Sequence, residues 1–463
     1  MTTALGSPAS AAELAAATPD SRDRCVDLLR VASLATVVLG HWTMAVVTLG
    51  PDGSAQAGNL LAEVPGLQPI TWLLQIMPVF FLVGGFSHAL SYRSLVRRAG
   101  GERPGVYPAF LRARLHRLLG PVLVFVAVWA TGALALQLLF AEGPLTATAT
   151  RLVAQPLWFI GIYLAMVAFT PPLLRLHERW GWGAFGALLA GAAAVDVLRF
   201  ALGVPHVEFL NFAFVWLAVH QLGFLRADGA LRLPGVPAAL ALGGLLSTAA
   251  LVWLGPYPVS MVGMPGEEVS NMAPPTLALL CHGVWLAGAV ELLRRPASRL
   301  LARPRVWRAV VAANGLAMTA FLWHLTALLG VYGVLLALDV PFPEPASAAW
   351  WAQLPVRIGG ALVLTAVLVA LFRRFELPPP ARPFSAAPRG ASPLAAIGAT
   401  LTLLGVLGLS MVGFGEITEG RTATLVAVDI SAPVAIGMVL VGRLLVERAG
   451  SARRRVTDPA RQG

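Results

Sequence analysis

The sequence predicts an all-α fold: a polytopic transmembrane helix bundle of about twelve spans, ten followed by a further pair, with both termini cytoplasmic. Three observations predict it. The 463 residues are 57% hydrophobic and only 12% charged, with a mean hydropathy of +0.74; a soluble domain carries about 25% charged residues. The apolar residues come in blocks of roughly 20, the length that crosses a hydrocarbon core of about 30 Å. The connections between blocks alternate between arginine-rich and nearly arginine-free.

The spans fall near 28–50, 67–91, 116–141, 152–174, 182–202, 207–225, 236–256, 273–293, 309–338, 349–372, 392–414 and 424–446. Several contain Pro or Gly, as in "QIMPVFFLVGGF", which membrane helices tolerate when neighbours satisfy the freed backbone groups. The arginine-rich connections include "YRSLVRRAGGERP…LRARLHR", "RLHER" and "RRPASRLLARPRVWR". The alternate set includes "GPDGSAQAGNLLAEVPG", "AEGPLTATAT" and "GPYPVSMVGMPGEEVSNMAPPT". The positive-inside rule puts the first set in the cytoplasm, with both termini. An even number of spans follows, and twelve satisfies it.

Residues 1–23 read as a flexible cytoplasmic tail, since their opening stretch lacks the basic start and apolar core of a cleavable signal. A ten-span membrane domain covers 24–375. A Pro/Ala-rich linker covers 376–391, two further transmembrane helices 392–446, and a basic cytoplasmic tail 447–463. The longest non-membrane stretches are a cytoplasmic loop near 92–115 and an external loop near 257–272. No internal repeat is visible. The net charge is +11 and all 34 basic residues are arginine; absence of lysine suits codon bias better than mechanism. These arginines flank apolar blocks, so they read as topology signals rather than a nucleic-acid surface. Cys25 and Cys281 lie far apart, without metal-ligand spacing, so neither a metal site nor a disulfide framework is expected.

"LLRVASLATVVLGHW", residues 28–42, carries the chemistry. Arg30 and His41 are 41 − 30 = 11 residues apart, about 1100°, so they share one helix face about 16 Å apart along the axis. Asp27, three residues before Arg30, is a helix-surface ion partner for it. Each residue alone has a structural reading: a boundary arginine reaching the headgroups, a histidine bonded to a neighbouring helix. On one face they also read as an anion-binding group below a proton acceptor.

The arginine–ten residues–histidine spacing resembles the first helix of the acyltransferase-3 family of integral membrane O-acyltransferases. "FFLVGGF" resembles that family's "FFxxSGF": Phe80, Phe81, Gly85 and Phe86 match, and Gly84 stands at the family serine. "FLRARLHRLLGPVL" resembles the arginine-rich entry to the third helix, through Arg112, Arg114 and Arg117. "QPLWFIGIYL" resembles the fourth element, through Trp158, and "AFLWHLTALL" resembles the late "Y-L-x-H" element, through His324. The matches run in family order across 24–375; the last two spans lie outside them.

The resemblance implies transfer of an acyl group, acetyl among the candidates, from cytoplasmic acyl-CoA to a hydroxyl on a sugar, glycolipid or other cell-envelope acceptor. The protein would be a multi-pass protein of the cytoplasmic membrane, with no bound cofactor and acyl-CoA as co-substrate. Guanidinium groups bind phosphate oxygens bidentately, so Arg30, Arg112, Arg114 and Arg117 suit the phosphates of coenzyme A; a plain positive-inside loop is the other reading. His41 would take the acceptor's hydroxyl proton. His324, mid-span, reads equally as a second catalytic group or as a helix-to-helix bond. His88, His220 and His282 read as packing or network residues, and His116 and His177 as solvated ones.

On the outer side Asp196, Arg199, Glu208 and Asn211 cluster, with Asp196 and Arg199 spaced to pair on one helix face. Asn211, Glu267, Glu268 and Asn271 are the acceptor-side candidates; a solvated cap is the alternative for the 257–272 loop. The competing function classes are a twelve-span secondary transporter and a polysaccharide or lipid export component. Against transport stand the missing repeat and the arginine-filled cytoplasmic loop.

Overall fold

A computed structural model describes all residues except 1–9, 20, 50–54, 102–104, 140–143, 265, 377–390, 416–419, 426–427 and 451–463. The linker expected at 376–391 and the basic tail after 450 lie almost wholly outside the described residues. Among those described, each predicted span contains or overlaps one long helix. These are α1 (Arg24–Met44), α2 (Met77–Arg98), α3 (Val106–Leu139), α4 (Pro156–Trp180), α5 (Trp182–Phe200) and α6 (Asn211–Ala227). They continue as α7 (Val236–Leu254), α8 (Leu277–Leu292), α9 (Ala317–Ala337), α10 (Ala348–Phe372), α11 (Ala391–Val412) and α12 (Ala432–Ala449). Ten helical stretches among the described residues are long and apolar enough to cross a membrane. The other two helices are α8, of 16 residues and bent 52° into Arg294–Leu301, and α12, of 18 residues, with Arg443, Glu447 and Arg448 near its end. The protein is a multi-pass membrane protein.

Several boundaries differ from the sequence expectation, each for a local reason. The first span stops at Met44, because the β-branched run that follows pairs as β1 (Ala45–Leu49) with β2 (Ala55–Asn59), Ala45 opposite Asn59. The fold is therefore helical with two short hairpins, the second being β3 (Thr422–Leu425) with β4 (Val428–Ser431), which fills the start of the predicted twelfth span. The loop expected at 92–115 is mostly helix, since α2 runs to Arg98 and α3 begins at Val106. The predicted ninth span is two helices, Pro304–Asn314 and α9, broken at Gly315 and Leu316. The tail expected to be flexible holds a short helix, Ala11–Ala16, closed by a reciprocal Ser10–Glu13 capping box, with Ala15 packed beside Trp307.

The chain packs as two compact units, each discontinuous in sequence. One comprises 1–87 and 173–377, the other 88–172 and 378–463; the divisions fall inside α2 and α4. In the first unit, α1, α9 and α10 share a cluster of Val38, Trp42, Leu325, Leu328, Val331, Tyr332 and Ala361. Val38 and Trp42 are four apart, and Leu325, Leu328 and Tyr332 recur at three and four, so each helix offers one apolar stripe. Where α2 crosses α6, Gly85 faces Gly223 so closely that a Cβ on Gly85 would overlap the His220 carbonyl. Small residues permit such backbone approach in a bilayer, where the hydrophobic effect does not press helices together. Away from these contacts, Leu242, Leu246 and Trp253 on α7 and Val356, Leu362 and Val363 on α10 are exposed, as lipid-facing side chains are.

In the second unit, α11 and α12 cross through Gly398, Gly405 and Gly442, where a Cβ would strike the facing backbone. Both pack on α3. Phe125 on α3 meets Phe414 edge to face, with ring centres 6.0 Å apart.

Candidate active site

The stripe that buries Val38 and Trp42 brings the neighbouring His41 against α9. Its Nδ1 lies 2.7 Å from Nε2 of His324, and the two rings stack with centres 5.0 Å apart and planes 17° from parallel. Nδ1 of His324 lies 2.5 Å from the Phe321 carbonyl oxygen. A carbonyl only accepts, so His324 Nδ1 carries the proton and donates it. In a neutral imidazole the other nitrogen is then an acceptor. His324 Nε2 thus accepts from the N–H of His41 Nδ1, which leaves the lone pair of neutral His41 on Nε2. The indole N–H of Trp42 donates to the His324 carbonyl at 3.0 Å. His324 is fully buried and His41 half-buried. Among the described residues no carboxylate bonds to either ring.

α9 lacks a side-chain N-cap of its own. The Glu376 carboxylate supplies one, accepting from the backbone N–H of Met318 at 3.0 Å and of Thr319 at 2.9 Å, and from the Thr319 hydroxyl. An anion there also suits the positive end of the helix dipole.

Arg30 lies at the other end of the shared face. Its Nη2 donates to the Ser87 hydroxyl at 3.3 Å, and its Nη1 is 3.9 Å from Asp27. The tighter partner of Asp27 is Arg22, bidentate at 2.6 and 2.8 Å. That contact raises the Arg22 pKa further, so Asp27 serves Arg30 only in part.

A family model described as an acyltransferase domain matches residues 23–373. The chain belongs to the acyltransferase-3 family. It is a membrane acyltransferase acting on groups other than aminoacyl groups, so it works in a lipid bilayer on an acyl donor and an acceptor; the transporter reading is not favoured. Neither the curated proteins nor the solved structures yield a match.

Of the residues singled out through this acyltransferase-3 resemblance, Phe80 and Phe81 are buried, Phe81 edge-on to Trp216 with centres 4.8 Å apart. Gly84 is buried beside the Gly85 crossing. In the second unit Trp158 lies half-buried against Phe159. Also there, Arg112 donates to the Gly450 carbonyl at 3.2 Å, Arg114 lies over the Phe110 ring, and Arg117 is exposed.

The outer candidates divide. Asn211 is buried and donates to Asp196 at 2.8 Å. The Asp196 carboxylate also accepts from the Tyr257 hydroxyl at 2.9 Å and the Leu277 N–H at 2.8 Å. Burial, reinforced by Asp196, pushes the Tyr257 hydroxyl far up, so it stays a donor. The expected Asp196–Arg199 pair is therefore corrected: among the described residues they form no ion pair, and Arg199 stacks over Phe200. Asn271 is buried with its amide spent on the Pro258 and Ser260 carbonyls and its oxygen on the Thr276 hydroxyl; it ties the 257–272 loop. Glu268 is exposed, and Glu267 accepts from the Met264 N–H at 3.3 Å.

Among the other histidines, His88 pairs with Tyr163 at 2.9 Å and His282 faces the Gln75 carbonyl at 3.3 Å, as network residues do. His177 departs from its expected solvation: it is buried between Asp228 and Gln221, each at 2.7 Å.

Sequence reasoning missed a charged cluster. Arg226, buried on α6, pairs with Glu291 on α8 and with Asp23, 3.4 Å away, ahead of α1. Arg232 adds a bond to Asp23 at 2.8 Å. Arg357 and Glu376 were missed as well. Glu291 and Arg357 lie in predicted spans and Arg226 directly follows one, so the rule that intramembrane charges are expensive and functional by default would have found the first two.

Proposed function

We propose that the protein is an O-acyltransferase that moves an acyl group from cytoplasmic acyl-CoA to a hydroxyl of a sugar, glycolipid or other cell-envelope acceptor. His41 is the general base, and the observation that carries this is the one-way bond from His41 to His324, which leaves a lone pair on His41 Nε2. The acceptor's hydroxyl proton passes to Nε2 as its oxygen attacks the thioester carbonyl. The C–S bond breaks, the ester forms, and the thiolate takes the proton back from the imidazolium. His324 orients the ring and accepts from Nδ1 throughout, the arrangement by which a base is held for an alcohol nucleophile. A positioned base contributes about 10²–10⁴-fold.

In the same reading Arg30, Arg112, Arg114 and Arg117 gather the donor's phosphates, and Glu267 and Glu268 meet the acceptor. Twelve crossings, cytoplasmic termini, residence in the cytoplasmic membrane and a ten-plus-two domain order belong to the proposal too. Acyl-CoA is a co-substrate, and no bound cofactor takes part.

The test is purified full-length protein in lipid vesicles with radiolabelled acetyl-CoA and longer acyl-CoAs, comparing wild type with His41→Ala. Donor binding with thioester turnover lost in the variant supports the proposal. Turnover unchanged in a folded His41→Ala protein rejects the base, and no acyl-CoA interaction in folded wild type rejects the donor.

A further inference from the structure

Two groups that can only donate hydrogen bonds lie together in α10. Arg357 is 3% exposed and Trp350, two turns earlier, is 1% exposed. The guanidinium carbon lies 4.2 Å from the centre of the Trp350 ring. Arg357 Nη1 donates to the Tyr332 hydroxyl at 2.9 Å, and Nη2 to the Trp350 carbonyl at 3.1 Å. The Tyr332 hydroxyl in turn donates to the Ala45 carbonyl at 3.1 Å. Arg357 Nε and Trp350 Nε1 are both buried and meet no acceptor among the described residues.

A guanidinium and an indole N–H have no acceptor capacity, so only a lone pair satisfies either. Arg357 also has no carboxylate in ion-pair contact among the described residues, whereas the buried Arg226 has two, Glu291 and Asp23. Its position sharpens the contrast. Arg357 lies nine residues into α10, about 14 Å along the axis, inside a stretch apolar enough to span. A charge there is rare and is paired or functional.

We propose that Arg357 and Trp350 form a binding site for an oxyanion, a phosphate or carboxylate group. The charge selects an anion, and the unpartnered Nε–H donates to one of its oxygens. The indole N–H adds a further donor. Entry requires the Trp350 ring to swing off the guanidinium and away from Val46 and Leu60, against which it packs.

The site is tied to both histidine-bearing helices. Tyr332 is eight residues beyond His324 on α9, about 12 Å, and Ala45 is four residues beyond His41, about 6 Å. An acceptor held here by its oxyanion presents a hydroxyl toward His41. That last step rests on the acyl-transfer reading; the oxyanion site does not.

The experiment therefore contains no acyl donor. Thermal unfolding of the purified full chain is followed in neutral detergent with inorganic phosphate against chloride at constant ionic strength. A parallel arm uses nanodiscs of phosphatidylcholine with and without phosphatidylglycerol. The expected result is a saturable rise in unfolding temperature in at least one arm, phosphate marking a soluble oxyanion and phosphatidylglycerol a lipid headgroup. Arg357→Gln should lose the rise. Trp350→Phe keeps the ring while deleting the N–H, so it stays testable if Arg357→Gln does not fold; its midpoint should weaken about tenfold, the worth of one charge-assisted hydrogen bond. No rise in either arm for wild type, or a rise unchanged in the folded variants, overturns the proposal.

Discussion

His41 and His324 are bonded ring nitrogen to ring nitrogen at 2.7 Å, and the bond has one direction because the Phe321 carbonyl claims the proton on the far side of His324. A pair of neutral imidazoles alone can bond either way round. The backbone carbonyl breaks that symmetry, and the lone pair that results sits on the half-buried ring rather than on the buried one.

The first prediction separates the two rings. His41→Gln should lower turnover by about 10²–10⁴-fold, the contribution of a positioned base. His324→Gln removes the positioning bond but leaves the base, so its loss should be smaller, and its pH–rate profile should differ from that of wild type. Equal losses with unshifted profiles would show that His324 does not act through His41.

Glu376 is expected to matter through α9 rather than through chemistry. Glu376→Ala strips the carboxylate from three donors at the start of that helix, a loss of about 1–2 kcal/mol for a cap. A lower unfolding temperature with the donor KM retained is the expected pattern. Unchanged stability would mean that the exposed helix end finds other acceptors.

The Gly85 crossing gives a packing prediction. Gly85→Ala places a methyl group where the His220 carbonyl stands, and forced overpacking costs about 1–3 kcal/mol. Unfolding in detergent should shift down accordingly. Gly223→Ala, on the facing helix, should behave alike, and the double variant should lose less than the sum, because the first methyl already parts the helices.

These three predictions show what sequence could and could not supply. Spans were legible because a bilayer demands long apolar runs, and Arg30 and His41 because helical spacing puts them on one face. The histidine pair was not: His41 and His324 lie on different helices, and no local pattern encodes which long-range neighbours meet. Glu376 was hidden for the same reason, as its partners lie some sixty residues earlier and it sits at the edge of a segment read as linker. Asn271, by contrast, was misleading, since a polar residue in an external loop looks available until its three bonds are counted.

Glu267 supplies a pH prediction. Burial raises its carboxyl pKa from 4.5, against an opposing hydrogen bond from the Met264 N–H. A carboxyl whose folded pKa is raised holds its proton more tightly folded than unfolded. Its contribution to stability is present at low pH and falls as pH rises from the unfolded value through the folded one. The unfolding-temperature difference between Glu267→Gln and wild type should therefore grow in favour of the variant across that window and then level. A difference that moves the opposite way would place the hydrogen bond, not burial, as the larger effect.

Arg112 is proposed for the donor's phosphates, yet its guanidinium already bonds the carbonyl that follows α12, where a cation is favoured by the helix dipole. Arg117, five residues on, is exposed. The two should therefore part company. Arg117→Ala should raise KM for acyl-CoA with stability unchanged, whereas Arg112→Ala should raise KM and also lower the unfolding temperature, since the end of α12 loses its cap. Arg112→Lys separates the effects further: a lysine retains the charge near the helix end but not the planar fork that grips phosphate oxygens. Stability recovered with KM still raised would assign both tasks to one side chain. Full recovery of KM would show that charge alone serves the donor, and an unchanged KM in every variant would confine Arg112 to holding α12.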